Sequence, residues 1–353
     1  VNREVVVTGA GALTPLGATL AETRAAFLAG RRGIGPCRAF DASPFASADA
    51  GEVPGFDPRD HFRATKALKV ADRRSRLAVA AASMALASAG WHAETGDRLG
   101  VLVGTSTFDL QMAKLAAAVF PDAARATQEI PFFAERALSG VTPLWLLTVL
   151  PNMASSHVGM QLSASGPNST IMSDAAAGLQ AIGEAADWIR RGECDAALAG
   201  GADTIVTPAA FAAAAQDGRG VPPAEGAAML MLEDAESAGR RGAPVAGRVR
   251  GYATATGACA ESRAIGAALR ESGWTARDID GVCGPDVDRI DGFDPGARRL
   301  SILAAMGDTV AAASPAALAI ALGGGFGTRV LCVAPAGIGP AAALAIEMVT
   351  QLP

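Results

Sequence analysis

Aromatic residues are scarce in this sequence. They make up 5% of its 353 positions, and Tyr252 is the single tyrosine. That scarcity excludes a platform on which single-stranded nucleic acid could stack. A basic stripe is also missing. Thirty Lys and Arg face 35 Asp and Glu, a net charge of −5, so no nucleic acid is expected as a partner. Every apolar run is broken by Gly, Pro or a charge well short of bilayer-spanning length, so no membrane association is expected. The five cysteines, Cys37, Cys194, Cys259, Cys283 and Cys332, contain no Cys-x-x-Cys. Their odd number and wide spacing predict reduced thiols and a cytoplasmic protein. The opening run Val1–Val7 reads as a strand rather than a signal peptide. The three histidines, His61, His92 and His157, share no ligand spacing, so no metal site is expected.

What is present is a large apolar core. Half of the residues are hydrophobic and 18% are charged, enough for one large domain or two fused halves. Short β-branched runs alternate with Ala-rich helical stretches, the pattern of an α/β protein. Strands are predicted near Glu4–Thr8, Leu99–Val103, Ser169–Met172, Ala196–Ala199 and Ala227–Leu232, with helices near Leu20–Leu28, Asp72–Ser88 and Ala175–Arg190. The second part repeats the theme. Strands are predicted near Ala246–Tyr252, Gly281–Cys283, Val330–Val333 and Ala342–Met348, and helices near Glu261–Glu271 and Pro315–Leu322. The runs Ala227–Glu233 and Ala341–Glu347 end the two parts alike, which suggests a duplication. The charged, Gly/Pro-containing stretch Arg240–Pro244 sets the expected boundary, giving halves 1–242 and 243–353.

Several local patterns fall short of a known chemistry. Gly9-x-Gly11 followed by Thr14 lacks the third glycine of a dinucleotide fingerprint. Gly323–Gly327 lacks the Gly-Lys-Ser/Thr of a phosphate loop and reads as the end of a helix. Asp286, Asp288 and Asp291 are out of register for a calcium loop, with Ala297 where a bidentate Glu is needed. No cofactor is therefore expected. The charged run Glu233–Arg241 reads as an exposed helix or turn, and His157 as a packed histidine.

The segment from Gly166-Pro167-Asn168-Ser169 through Asp174-Ala175-Ala176-Ala177-Gly178 to Gly183 resembles the nucleophile segment of β-ketoacyl-ACP synthases. The resemblance spans nearly the whole chain. It includes the opening Val7-Thr8-Gly9-Ala10-Gly11, the stretch Pro151–Ala154 with His157, and Arg191–Asp203. It implies the thiolase fold, two similar halves in a five-layer α-β-α-β-α sandwich.

The positions that carry the family's chemistry depart from it. The nucleophilic cysteine falls on Ala175, the first histidine on Pro285, the lysine on Leu303 and the second histidine on Asp308. Alanine cannot attack a thioester, and neither Pro285 nor Asp308 can donate as a neutral imidazole to a developing oxyanion. The loop that covers substrate in the family is cut here to Gln216–Gly226. This set of losses resembles the chain length factors, or ketosynthase β-subunits, of type II polyketide synthases. The resemblance implies a non-catalytic subunit that pairs with a catalytic ketosynthase. The partner would receive acyl chains from the phosphopantetheine of an acyl carrier protein. It further implies a dimer strand at Ser169, Thr170, Ile171 and Met172. The acyl tunnel near the interface would be lined by Thr107, Phe108, Leu110, Met112, Leu144 and Trp145. The alternative is a stand-alone condensing or acyl-transfer enzyme with a relocated nucleophile, for which Cys283, near the lost histidine position, is the candidate.

Overall fold

The structure, a computed structural model, describes residues 3–92, 98–106, 144–337 and 339–349. Twelve strands run through the described residues. They are β1 (Val5–Leu13), β2 (Ile34–Pro36), β3 (Asp49–Gly51), β4 (Leu99–Thr105), β5 (Asn168–Met172), β6 (Ala196–Thr204), β7 (Glu225–Asp234), β8 (Gly247–Ala255), β9 (Gly281–Gly284), β10 (Arg298–Ser301), β11 (Arg329–Ala334) and β12 (Ala341–Met348). The helices that build the layers are α1 (Leu20–Leu28), α2 (Arg73–Ser88), α3 (Met153–Leu162), α4 (Ala177–Arg190), α5 (Pro208–Asp217), α6 (Ala260–Ser272) and α7 (Ala313–Leu322).

Ten strands are hydrogen-bonded in the order β10-β9-β11-β12-β8-β1-β7-β6-β4-β5. Two five-stranded sheets meet where β1 pairs antiparallel with β8 through Val6↔Arg248 and Val7↔Gly247. Within each sheet the strands follow the same pattern. Counted in chain order, both read third-second-fourth-fifth-first, with the first three parallel and the last two antiparallel. The duplication suggested by the similar closing runs is therefore present in strand order and direction.

Alternation along the strands creates the layers, because successive side chains point to opposite faces. Leu230 and Leu232 join a core with α4 and α7, whereas Met229 and Met231 join the core under α2. Val330 and Cys332 share that first core, and Leu331 and Val333 face α6. The result is α2 and α3, a sheet, α4 and α7, a second sheet, then α6, the expected five-layer thiolase-like sandwich. All ten residues of α7 are buried, as required of a helix that is apolar all round.

The middle layer is held at close range by small residues. A Cβ on Gly178 would lie 2.0 Å from the carbonyl oxygen of Ala311, and one on Gly104 would lie 2.2 Å from the Ala177 backbone. Helix α2 starts where Asp72 accepts from the Ser75 N–H at 2.8 Å, a side-chain N-cap. Helix α7 stops at Leu322 before the glycine run, as the sequence predicts. The run Glu233–Arg241 holds the exposed helix expected of it, but not at its start. Glu233 is fully buried in β7, bonded to Thr8 and ion-paired with Arg241, while Ala235–Arg240 forms a short helix. Among the described residues, no helix is long and apolar enough to cross a membrane.

Candidate functional site

Strand β5 delivers Ala175 into a 3-10 turn, Asp174–Ala176, that runs directly into α4. The second half repeats this device: the turn Val310–Ala312 runs directly into α7. Each turn begins on a non-glycine residue in the left-handed region, Asp174 at φ 57° and Val310 at φ 46°. That conformation is uncommon, and for a β-branched residue it is a genuine outlier. The two turns pack against each other, so the position expected to carry a nucleophile lies beside the segment that follows Asp308.

Asp308 is held by its backbone and its side chain. Its N–H donates to the Pro222 carbonyl at 2.9 Å, and its own carbonyl accepts from Ala224 at 3.1 Å. Its carboxylate accepts from the Val310 N–H at 3.0 Å and, at 3.5 Å, from the exposed Arg219 guanidinium. Burial holds the Asp308 carboxyl above its ordinary range, and the charge of nearby Asp174 adds to that rise. Gly337 also approaches Asp174: a Cβ there would lie 2.6 Å from the Asp174 carboxylate. Pro285 is buried just beyond β9, and its carbonyl accepts from the N–H groups of Ile302 and Leu303 at 3.1 and 2.9 Å. The structure thus joins Pro285 to Leu303 and the Ala175 turn to the Asp308 segment. No thiol, imidazole or amine is contributed by Ala175, Pro285, Leu303 or Asp308. The shortened loop Gln216–Gly226 is stitched over Asp308 through Pro222 and Ala224.

Two polar networks behind the turns carried no sequence prediction. Asp203, at the end of β6, is completely buried and accepts from the Thr105 hydroxyl at 2.8 Å and the Ala311 N–H at 3.1 Å. It also accepts from the Ser106 N–H, at 3.2 and 3.0 Å to its two oxygens. Burial pushes its carboxyl up to about 6, against the pull of Arg74 and these hydrogen bonds. Thr105 in turn accepts from Arg74 at 3.0 Å. In the second network, Gln180 contacts Ser173 and donates to Thr254 at 2.8 Å, and Thr254 donates to the Ala341 carbonyl at 3.0 Å. The signal for Asp203 was a lone carboxylate closing the apolar run Ala196–Ala202.

Cys283 lies in β9, fully buried and in register with Cys332 of β11. Burial raises the Cys332 thiol well above its ordinary range, and its Sγ lies 3.4 Å from the Ser314 carbonyl. His157 is buried against Phe62, as a packed histidine should be, and burial lowers its pKa.

The strand proposed for dimerisation, β5, is the edge of the ten-stranded sheet and, among the described residues, pairs only with β4. Asn168 and Thr170 turn toward α3, bonding the Ser155 carbonyl at 3.1 Å and the Ser155 hydroxyl at 2.9 Å. Ile171 packs on the middle core, and Met172 is half exposed. Met160 on α3 is 61% exposed, and Leu144 and Leu146 are more than half exposed. Trp145 begins a 3-10 turn, partly buried, and its indole N–H has no hydrogen-bond partner among the described residues. Thr107, Phe108, Leu110 and Met112 lie outside the described residues. Two surface clefts, of about 370 and 560 Å³, lie elsewhere, beside Trp91 and Arg241 and beside Arg277 and Arg298.

Comparison with known proteins agrees with this frame. Residues 2–238 match the family model described as beta-ketoacyl synthase, N-terminal domain. The chain is 32% identical over 304 residues to a 3-oxoacyl-[acyl-carrier-protein] synthase 2 of Synechocystis sp., covering 77% of this chain and 70% of that protein. Among solved structures, "The ishigamide ketosynthase/chain length factor" is similar at TM-score 0.85 and 25% identity, over 99% of this chain and 100% of that one. A type II polyketide synthase acyl-carrier protein in complex with its ketosynthase shares the fold at TM-score 0.77 and 19% identity, over 99% and 100% of the two chains. With its duplicated sheets, its paired turns before two buried helices and these matches in sequence, the chain belongs to the β-ketoacyl synthase family.

Proposed function

We propose that this chain is a non-catalytic chain length factor. It would pair with a catalytic ketosynthase of a type II polyketide synthase in the cytoplasm. The observation that carries this reading is the joint replacement at the paired turns. Ala175 has no nucleophile, and Pro285 and Asp308 have no imidazole to stabilise an oxyanion. Asp308 puts a carboxylate where the resemblance expects a hydrogen-bond donor, and the charge of Asp174 lies near it. The likeness to the ishigamide ketosynthase/chain length factor supports the assignment. The Synechocystis relative is named a 3-oxoacyl-[acyl-carrier-protein] synthase, a condensation that a chain with Ala175, Pro285 and Asp308 at these turns lacks the groups to perform.

In this reading β5 contributes Ser169, Thr170, Ile171 and Met172 to the heterodimer. Among the described residues, β5 is an edge strand with no charged side chain and a half-exposed Met172, a surface suited to pairing. The partner would supply the cysteine and histidines and take acyl groups from the carrier protein. The growing acyl chain would run toward the interface, where Thr107, Phe108, Leu110, Met112, Leu144 and Trp145 would set the end of its tunnel. The rival reading, with Cys283 as nucleophile, meets a fully buried thiol in mid-core.

The test is co-expression with a ketosynthase, followed by condensation assays and product profiling. The reading expects no turnover by the purified single chain and turnover by the pair. Trp145→Ala or Phe108→Ala should give longer products. Robust condensation by the single chain would overturn it.

A further inference from the structure

Asp203 is completely buried at the end of β6, and the groups that reach its carboxylate are donors. Oδ1 accepts from the Thr105 hydroxyl at 2.8 Å and the Ser106 N–H at 3.2 Å. Oδ2 accepts from the same Ser106 N–H at 3.0 Å and from the Ala311 N–H at 3.1 Å. Ser106 follows β4 in the first half, and Ala311 sits in the turn Val310–Ala312 of the second. One carboxylate thus fastens the two halves. Ionised, it suits all of these donors, because a bond to a charged acceptor is roughly twice as strong as a neutral one. Burial pulls the other way and favours the neutral acid.

A proton arriving on this carboxylate is best placed on Oδ1. On Oδ2 it would face two N–H groups, which cannot accept. On Oδ1 it faces Thr105, whose hydroxyl oxygen has two lone pairs. One already accepts from Arg74 at 3.0 Å, and the other can accept from the acid once Thr105 turns its own hydrogen aside. Ser106 and Ala311 are then left on the carbonyl oxygen of a neutral group. The surrounding charges are placed on several elements. Arg74, the counter-charge of Asp203, is ion-paired with Asp72 on the same turn of α2 at 3.2 Å. Glu225 of β7 is paired with Arg73 at 2.6 Å. His157 lies on α3, Asp308 precedes the second-half turn, and Asp174 lies on the turn packed against it. Burial lifts Asp203 to about 6 and raises Asp308 as well, so Asp308 is the group from which Asp203 must be distinguished.

We propose that Asp203 is a proton-operated latch between the two halves, with the Thr105 hydroxyl as its pivot: ionised, it clamps the exit of β4 to the Val310–Ala312 turn, and protonated, it loosens both. The latch is a property of this chain and does not depend on the chain-length reading. Acid would loosen the turn that packs against Asp174–Ala176. Its sign separates it from acid unfolding. As pH falls, the contribution of Asp203 to global stability rises, because the neutral acid is the better-buried form, whereas its hold on Ser106 and Ala311 falls.

The experiment is native-state hydrogen exchange on the full chain from pH 5 to pH 7.5. Rates are corrected for intrinsic exchange and compared with amides of β12, which is paired on both sides. Relative to those amides, protection at Ser106 and Ala311 should fall roughly tenfold toward the acid end. In Asp203→Asn the dependence should vanish, and in Asp308→Asn it should persist. If Asp203→Asn does not fold, wild type and Asp308→Asn decide between the two carboxyls. Protection that tracks the β12 amides across the whole range overturns the proposal. So does a dependence that survives in Asp203→Asn or disappears in Asp308→Asn.

Discussion

Removing the charge at Asp203 should change how stability responds to pH, and the size of the effect follows from its burial. The Asp203 carboxyl rises from an ordinary 3.8 to about 6 in the folded chain, mainly through desolvation. A rise of that size corresponds to about 3 kcal/mol between the protonated and ionised forms. The sign is fixed by linkage. In this window the folded state binds the proton more tightly than the unfolded state, so this carboxyl lowers stability as pH climbs from about 4 to about 6.5. Asparagine does not titrate. The stability of wild type minus that of Asp203→Asn should therefore fall by up to about 3 kcal/mol across that range. The difference is the informative quantity, because other groups titrate there too. Buried His157 works in the opposite sense: its depressed pKa removes stability as pH drops below about 6.5, equally in both proteins. Urea unfolding at half-unit pH steps from 4.5 to 7.5 measures both curves. Parallel curves, or a wild-type-minus-variant stability that rises with pH, would refute the argument.

Other outcomes follow from the same geometry. Ala175→Cys should leave the isolated chain without condensation activity, since each missing oxyanion donor costs about 10²–10³ in rate; a malonyl-carrier condensation assay checks it. Met172→Lys, at a half-exposed position of β5, should leave stability within about 0.5 kcal/mol of wild type and abolish co-purification with a ketosynthase. A variant that still co-purifies at wild-type yield places the partner elsewhere. Glu233→Gln should cost about 3 kcal/mol, because it strands part of the Arg241 charge beside a buried site; denaturant unfolding reads it. Cys259 is exposed whereas Cys194, Cys283 and Cys332 are buried, so iodoacetamide should modify Cys259 well before those three in the native chain. Fast loss of a native activity on Cys283 labelling would revive the relocated-nucleophile reading.

The layers were readable because burial imposes periodicity. Ala227–Leu232 and Val330–Val333 alternate between two cores, and the Ala-rich run at 313–322 is apolar all round, so each announces its place. Strand β10 was missed. Its residues Arg298, Arg299, Leu300 and Ser301 form a sheet edge with only Leu300 fully buried, so the apolar signal is a single residue. Glu233 misled for a different reason. A charge run normally marks a solvated face, but here Arg241 folds back eight residues to neutralise it, over the ring of Trp91. That contact is made by tertiary structure and leaves no trace in local pattern. The altered positions Ala175, Pro285, Leu303 and Asp308 were readable only through the family resemblance; nothing in their own neighbourhoods marks a lost chemistry. Asp203 was visible as a lone charge on an apolar strand, but its partners lie about a hundred residues away on either side.

The backbone at the paired turns stays in the left-handed region although Ala175 and Asp308 carry neither thiol nor imidazole. A left-handed residue outside glycine costs of order 1–3 kcal/mol and persists only where its surroundings over-determine it. Val310 is such a residue, and the structure shows what holds it: Asp308 accepts the Val310 amide and Asp203 accepts the next one, Ala311. Asp174 holds the matching position in the first half, with the glycines of the C-terminal turn pressed against it. Carboxylates thus surround the turns at which the family's chemistry is carried out by thiol and imidazole. A carboxylate accepts backbone amides well and stabilises a developing oxyanion badly, since both carry negative charge. In the proposed reading, the same groups that hold these turns would oppose a condensation there. Restoring condensation would require removing acceptors as well as adding a cysteine, and each acceptor removed frees a strained turn. In the proposed reading, a frame held in this way by acceptors suits a subunit whose task is shape.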